Sequence, residues 1–135
     1  MTRPPQPVQT KETQSFWDGA RTGCVVLWRC EDCGRLAAPP SPRCPSCLSN
    51  ALSPFPYSGR ILLKGRTVLT VPAFDGQNVP APVAECAVED EPRIVLIAQD
   101  PENFTRDLAP GAPLALAFDT SGDSFPIAIV QSGAA

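Results

Sequence analysis

Two Cys-x-x-Cys pairs are the residues of this chain best suited to chemistry. The first pair is Cys30 and Cys33, and after ten intervening residues the second is Cys44 and Cys47. Each pair aims two thiolates at one point, and two pairs complete a tetrahedron around a cation such as zinc. Gly34 follows the first pair and suits a tight knuckle whose chain turns back with positive φ. The spacing therefore predicts one metal site with all four cysteines as ligands.

Two disulfides or a redox dithiol are the alternative interpretations of these cysteines. Disulfides need an oxidising compartment, and the first fifteen residues are polar and Pro-rich, without the apolar segment of a signal peptide. A redox dithiol uses one Cys-x-x-Cys at a helix start beside a βαβ pattern, whereas this chain has two pairs in a Pro-rich loop. Four thiolates leave no open coordination position for water. We therefore expect one structural Zn²⁺ and a reducing, cytoplasmic location.

Composition argues against an enzyme that works alone. Histidine is absent, which removes the commonest general base and every Ser-His or Cys-His nucleophile pair. The two remaining cysteines, Cys24 and Cys86, lie in or beside apolar runs and are expected to be buried thiols. No paired-carboxylate motif stands out. The sequence thus predicts no catalytic residue.

Charge is distributed unevenly along the chain. Residues 1–66 hold nine Lys and Arg against four Asp and Glu, a net +5, whereas residues 67–135 hold two against ten, a net −8. A basic cluster can meet a phosphate-bearing ligand or an acidic partner surface. Arg60, Lys64 and Arg66 are the candidate phosphate contacts. A solvated positive face explains the same cluster equally well.

The N-terminal part divides into an arm and a short helix. Three prolines among the first seven residues predict a disordered arm over residues 1–14. Ser15 then suits an N-cap, and Phe16 to Arg21 reads as a short helix. Phe16 and Trp17 are adjacent large aromatics, and so short a helix cannot turn both toward a small core. We expect one of them to pack internally and the other to contact a partner protein.

The rest of the chain has the pattern of β-structure. Val25 to Arg29 predicts a strand leading into the first cysteine pair, and Ser53 to Tyr57, with two prolines, predicts a linker. No apolar run approaches the length that spans a membrane, and Ile94 to Ala98, one of the longest, has the size of a strand. Beyond the linker we predict strands over Arg60 to Val71 with a bend at Gly65, Val83 to Val88, Arg93 to Gln99, Leu114 to Asp119 and Phe125 to Val130, with Pro101 to Leu108 as a helical or coiled connection.

Five strands with a long bent first strand, and a connector between the third and fourth, are what an OB-fold barrel requires. The predicted fold is therefore mainly β. A short helix and a rubredoxin-like zinc ribbon occupy residues 15–57, a five-stranded OB-fold barrel occupies residues 58–131, and residues 132–135 form a tail.

This order of parts resembles the zinc-ribbon plus OB-fold proteins long described as a domain of unknown function and linked to acyl-CoA metabolism. The match extends over about residues 15–130. The sequence departs from it at Leu48, where glycine often follows the last ligand, so the second knuckle is expected to be shaped differently. The resemblance rests on Phe16-Trp17, Arg29 to Gly34, Pro39-Pro40, Arg43 to Cys47, Ser58-Gly59, Ala81 to Ala84 and Gly111.

The resemblance implies a non-catalytic accessory subunit in a hetero-oligomer. Its partner would be a thiolase-fold or aldolase-type enzyme that makes or breaks carbon–carbon bonds of acyl-CoA thioesters. The helix and ribbon would dock on the enzyme, with the barrel near the acyl-CoA path and a coenzyme A thioester shared between the subunits.

The alternative function is binding of single-stranded nucleic acid, a role in which zinc ribbons and OB-folds both recur. Such binding uses a positive groove with exposed aromatics. The barrel half of this chain is acidic, and Phe118 and Phe125, two of the four aromatics after Tyr57, lie in apolar strands and are expected in the core. The sequence therefore favours the accessory subunit and predicts no nucleic-acid partner.

Overall fold

The computed structural model describes residues 6–121 and 126–132, and its architecture is mainly β. The predicted tail residues 133–135, part of the arm, and Phe125 lie outside the described residues. The elements are α1 (Gln14–Arg21), β1 (Val25–Cys30), β2 (Leu36–Ala37), β3 (Leu52–Tyr57), β4 (Arg60–Leu69), β5 (Ala81–Val88), β6 (Glu91–Gln99), β7 (Pro113–Asp119) and β8 (Ile127–Ser132).

Helix α1 begins earlier than the sequence suggested. Its N-cap is Thr13, whose carbonyl accepts hydrogen bonds from the N–H groups of Phe16 and Trp17, at 3.1 and 3.3 Å. Ser15 therefore lies inside the first turn, and its prediction as the N-cap is wrong. The Thr13 hydroxyl bonds to Thr10 rather than to the helix, so no side chain caps the first turn. No helix among the described residues is long and apolar enough to cross a bilayer.

Strands β1 to β3 form a three-stranded antiparallel sheet, which together with the two cysteine knuckles we call the ribbon (residues 25–57). The prediction of a linker over Ser53 to Tyr57 is wrong, because this segment is β3 and pairs with β1 along its whole length. β1 is the middle strand, so β3 lies at an edge. An edge strand tolerates Pro54 and Pro56 where the missing N–H would face away from the ladder.

Strands β4 to β8 form the barrel (residues 60–132), closed in the order β4-β5-β6-β8-β7. The bend predicted at Gly65 is confirmed as a shift in register between Leu63 and Gly65. All neighbouring strands are antiparallel except β6 and β8, which meet in parallel at Gln99 and Ile129. A short helix, a cysteine-bearing ribbon and a closed five-stranded barrel confirm the predicted mainly β fold. Residues 101–108 form turns, which is the coiled and not the helical alternative for this connection.

One hydrophobic core runs through the ribbon and the barrel. Tyr57, the last residue of the ribbon, donates its hydroxyl to the Arg60 carbonyl at 2.5 Å and accepts from the Asp90 N–H at 3.4 Å. Its ring is buried with residues of both parts. The ribbon contributes Val25, Leu27, Leu36 and Tyr57, and the barrel contributes Ile61, Leu63, Ala84, Cys86, Val88, Ile94, Ala98, Leu114, Leu116 and Val130.

The turn between ribbon and barrel depends on Gly59. Its φ is +87°, and its carbonyl accepts the Leu116 N–H at 2.8 Å. A β-carbon added here would lie 3.0 Å from the Leu116 carbonyl oxygen. The turn therefore needs both a left-handed conformation and a close backbone approach, and only glycine supplies both without strain.

We expect Gly59→Ala to lower the free energy of unfolding by about 2 kcal/mol, because it adds left-handed strain and crowding against β7. Gly23→Ala is the matched control. Gly23 also has positive φ, +82°, but its added β-carbon meets nothing within 4 Å. The control should cost about 1 kcal/mol, as backbone strain alone does. Urea unfolding of the wild type and the two variants measures their free energies of unfolding. An equal loss of stability in both variants would show that crowding at Leu116 is unimportant.

An ion pair also joins the ribbon to the barrel. Arg35, between the first knuckle and β2, places Nε 3.7 Å from Oε1 of Glu91 at the start of β6. Both side chains are mostly buried, 15% and 11% exposed. Arg93 binds the same carboxylate through Nε at 2.7 Å and Nη2 at 2.8 Å. Hydrogen bonds from the Arg93 side chain, helped by its backbone N–H and by the charges of Arg93 and Arg35, outweigh burial and lower the pKa of Glu91 to about 2.

This shift predicts an acid-dependent loss of stability. Because the folded pKa lies below the ordinary 4.5, the contribution of Glu91 is present above pH 4.5 and is lost as the pH falls toward 2. Glu91→Gln should therefore lower the free energy of unfolding at pH 7. At pH 3 the free energies of unfolding of the variant and the wild type should be closer together. Both proteins are unfolded with urea in the metal-free state at both pH values, so that loss of metal in acid does not enter the comparison. The bidentate contact of Arg93 with Glu91 lies within the barrel and does not depend on the ribbon. A difference that is the same at both pH values would contradict this assignment.

Candidate metal centre

The two knuckles have the same backbone geometry. In the first, the Gly34 N–H donates to the Cys30 carbonyl at 2.9 Å, and in the second, the Leu48 N–H donates to the Cys44 carbonyl at 3.0 Å. The N–H of the first cysteine of each knuckle donates to the carbonyl five residues later, at 2.9 and 2.7 Å. Leu48 has φ +64° and Gly34 +79°. The expectation of a differently shaped second knuckle is wrong, because Leu48 adopts the left-handed conformation that glycine would.

The knuckles bring four sulfur atoms together. Cys30, Cys33, Cys44 and Cys47 have their Sγ atoms all within 4.8 Å of one another. The Cys30–Cys47 and Cys33–Cys44 sulfur pairs are each 3.6 Å apart. Zn–S bonds of about 2.3 Å in a tetrahedron require S–S edges of about 3.8 Å. The four cysteines are thus positioned to bind one metal ion, and the donor set fits zinc.

The ligands differ in exposure within each knuckle. Cys30 and Cys44 are fully buried, whereas Cys33 and Cys47 are exposed. The backbone N–H of Cys47, with that of Ser46 and the neighbouring sulfurs, outweighs burial and lowers the pKa of the Cys44 thiol to about 6. Thiolate is the form that binds metal. The backbone of the second knuckle therefore favours the thiolate form of Cys44 that binds a metal ion.

Polar contacts tie the knuckles to each other outside the sulfur shell. The Ser49 hydroxyl donates to the Asp32 carboxylate, which joins the second knuckle to the first. Ser49 Oγ also accepts the Ala51 N–H at 3.0 Å, and the Ala51 carbonyl accepts the Glu31 N–H at 2.8 Å. Contacts of this kind hold ligands in one orientation around a metal.

The other two cysteines are separate from this cluster. All six cysteines are free. Cys86 is buried in β5, and burial, with the charges of Asp100 and Glu85, raises the pKa of its thiol to about 11. Cys24 is partly buried just before β1. A raised pKa leaves Cys86 protonated and unreactive at neutral pH.

Phe16 and Trp17 lie side by side at an apolar groove. Their rings meet edge to face at 5.0 Å, and Phe16 meets Phe118 of β7 in the same way at 5.8 Å. Phe16 thus packs the helix on the barrel, while both rings remain half-buried. The groove, about 230 Å³, continues over Trp28 of β1 and Val95 of β6. The sequence does not reveal the groove, because its walls come from α1, β1, the segment after β2, and β6.

The three candidate phosphate contacts all have partners within the chain. Arg60 pairs with Glu89 at 3.0 Å and with Asp90 at 3.6 Å, and Lys64 pairs with Glu85 at 3.8 Å. Arg66 donates to Asn103 Oδ1 at 2.6 Å and to Thr105 Oγ1 at 3.1 Å, which fastens the β6–β7 connection to β4. Binding of phosphate by these three side chains remains a prediction.

The fold is similar to that of one chain in a solved structure of an enzyme. A structure described as the Ltp2-ChsH2(DUF35) aldolase superposes with a TM-score of 0.80 and 19% sequence identity. The alignment covers 94% of this chain and 98% of that chain. At this identity the likeness establishes the fold. No model of a known protein family matches the sequence, and no curated protein matches it.

Proposed function

We propose that this chain is a non-catalytic accessory subunit of a thiolase-type or aldolase enzyme complex that acts on acyl-CoA thioesters. The observation that carries the proposal is the similarity to a chain of the Ltp2-ChsH2(DUF35) aldolase, which covers nearly all of both chains. A shared ribbon alone would be weak support, because ribbons occur in many proteins. The helix, the ribbon and the barrel match together.

The chemistry of the chain agrees with a supporting role. Histidine is absent from the sequence. The four-cysteine cluster would hold zinc with no position left for water, so the metal would supply a structural crosslink and no Lewis acid. The partner would provide the nucleophile and the acid–base groups. This chain would provide surface and rigidity.

The docking surface we propose is the face of α1 with the adjoining ribbon. Phe16 and Trp17 leave part of each ring exposed beside the apolar groove. Half-exposed aromatics next to an apolar groove are the side chains that most often anchor protein interfaces. The barrel would then lie near the acyl-CoA path. Contacts of Arg60, Lys64 or Arg66 with coenzyme phosphates would require exchange of their present partners.

The outward faces of β5 and β6 favour this function over single-strand binding. Val95 and Ile97 are 38% and 61% exposed, and Glu85 lies opposite Ile97 on β5. Lys64 pairs with Glu85 at 3.8 Å, so this aliphatic face presents a neutralised lysine in place of the positive groove that single strands require. It suits contact with another protein better.

Affinity purification of the tagged chain from its source cells tests the proposal. Mass spectrometry should identify a thiolase-fold or aldolase subunit that co-elutes with the chain in size-exclusion chromatography at a fixed ratio. Recovery of RNA or single-stranded DNA in its place would support the alternative function. Elution as a free protein without any such enzyme would contradict the proposal.

A further inference from the structure

The residue after the last ligand carries two unfavourable features at once. Leu48 has φ +64°, a conformation that side chains with a β-carbon rarely adopt and that Gly34 fills in the first knuckle. Its side chain is 66% exposed. A glycine at this position would remove both the backbone strain and the exposed apolar surface. The leucine side chain therefore has no evident role in holding its own knuckle together.

The backbone around Leu48 is held firmly, so the side chain projects from a fixed point. Its N–H donates to the Cys44 carbonyl at 3.0 Å, and its carbonyl accepts Nη1 of Arg43 at 3.0 Å. The Arg43 carbonyl in turn accepts the Ser41 hydroxyl at 2.6 Å. A bound metal at Cys44 and Cys47 would fix the turn further. An apolar side chain that projects from a fixed backbone loses less conformational freedom on entering a pocket than one on a mobile loop.

A positively charged residue, Arg43, lies beside the Leu48 side chain. Arg43 is exposed and forms no ion pair within residues 6–121 and 126–132. The hydrogen bond from its guanidinium to the Leu48 carbonyl keeps the positive charge beside the leucine. The tip of the second knuckle thus offers an apolar projection with a positive charge at its edge. The complementary surface is an apolar pocket with a carboxylate on its rim.

We propose that Leu48 anchors this chain to its enzyme partner by entering an apolar pocket of that subunit, with Arg43 facing an acidic group on the pocket rim. The inference rests on the proposed function and adds a second contact to it, apart from the α1 groove. Strained residues held by a rigid frame cluster at binding sites, which is why Leu48 stands out among the exposed apolar residues of this chain.

The test compares Leu48→Gly with Val71→Gly. Val71 is 75% exposed on the loop after β4, so it controls for loss of an exposed apolar side chain outside the ribbon. The probe is the enzyme subunit recovered with the wild-type chain, purified free of it, and the dissociation constant is measured by biolayer interferometry. Melting temperature and zinc retention against a chelator are measured on the same proteins.

Leu48→Gly should weaken binding at least tenfold, as loss of a buried anchor does. It should also raise the melting temperature by about 3 °C, because the strain is relieved, and leave zinc retention unchanged. Val71→Gly should change binding by less than twofold. Arg43→Gln should weaken binding severalfold at low salt and less at high salt.

Unchanged binding by Leu48→Gly, with an intact wild-type complex, would overturn the inference and leave the proposed function standing. Faster zinc loss that accounts for the weaker binding would show that Leu48 shields the Cys47 sulfur instead. A change in the oligomeric state of the isolated chain would assign Leu48 to contact with a second copy, and would likewise overturn the inference. Recovery of no thiolase-fold or aldolase subunit by the wild type would defeat the proposed function itself.

Discussion

Replacement of Cys44 by Ser is expected to abolish zinc binding and to unfold the ribbon. Wild-type protein purified without chelator should contain about one equivalent of zinc, and the variant close to none. The binding energy of a structural zinc site, about 10–16 kcal/mol in small zinc modules, is comparable to the whole stability of a domain. Cys44 is fully buried and its sulfur lies 3.6 Å from that of Cys33. The ribbon therefore cannot keep its fold without this ligand.

The barrel should keep much of its strand content in this variant, because its five strands close on themselves. It should be less stable, since Leu27 and Tyr57 of the ribbon are buried in the common core. Metal analysis and far-ultraviolet circular dichroism measure the two effects. Cys24→Ser is the control, because Cys24 is outside the cluster, and it should keep its zinc. Wild-type protein with no zinc and two disulfides would contradict the metal centre.

The second large effect is expected at Trp17. If the groove beside α1 receives the enzyme partner, Trp17→Ala should weaken the complex by about 2 kcal/mol or more, roughly thirtyfold, because buried aromatic anchors dominate interface energies. Phe16→Ala should weaken it as well. Phe16 also stacks on Phe118, so this second variant should lose stability in addition. Isothermal titration calorimetry with the purified partner, beside thermal unfolding of each variant alone, separates binding from stability.

Phe104→Ala is the matched control for these aromatic substitutions. Phe104 is 39% exposed on the β6–β7 connection and does not line the groove at α1. Its replacement should leave the dissociation constant within twofold of wild type. Equal losses for Trp17→Ala and Phe104→Ala would indicate a general effect on folding. Full affinity of Trp17→Ala would remove the groove from the interface.

Chemistry that depends on spacing could be predicted from the sequence. Two Cys-x-x-Cys pairs define a four-sulfur cluster almost independently of the rest of the chain. Five strand segments separated by turn residues, with a bend in the first and a connector between the third and fourth, indicated the barrel. Gly65 marked the bulge in β4 because an isolated glycine in a long strand usually does. In each case the decisive information is local.

Features that depend on tertiary pairing were beyond local rules. Pro54 and Pro56 made β3 look like a linker, and only its position at the edge of a sheet explains why they are tolerated. The contact between Arg35 and Glu91 joins residues far apart in sequence. At Leu48, local sequence rules were misleading for the same reason. Its side chain argued against a tight knuckle, whereas the hydrogen bonds and ligands around it impose the left-handed conformation.

The most direct measurement of the central claim is an activity assay on the two subunits apart and together. Thiolysis and retro-aldol cleavage of acyl-CoA thioesters should be undetectable with this chain alone, low with the partner enzyme alone, and restored on mixing, with both proteins in one size-exclusion peak. A partner that is fully active alone and never co-elutes with this chain would contradict the accessory-subunit account.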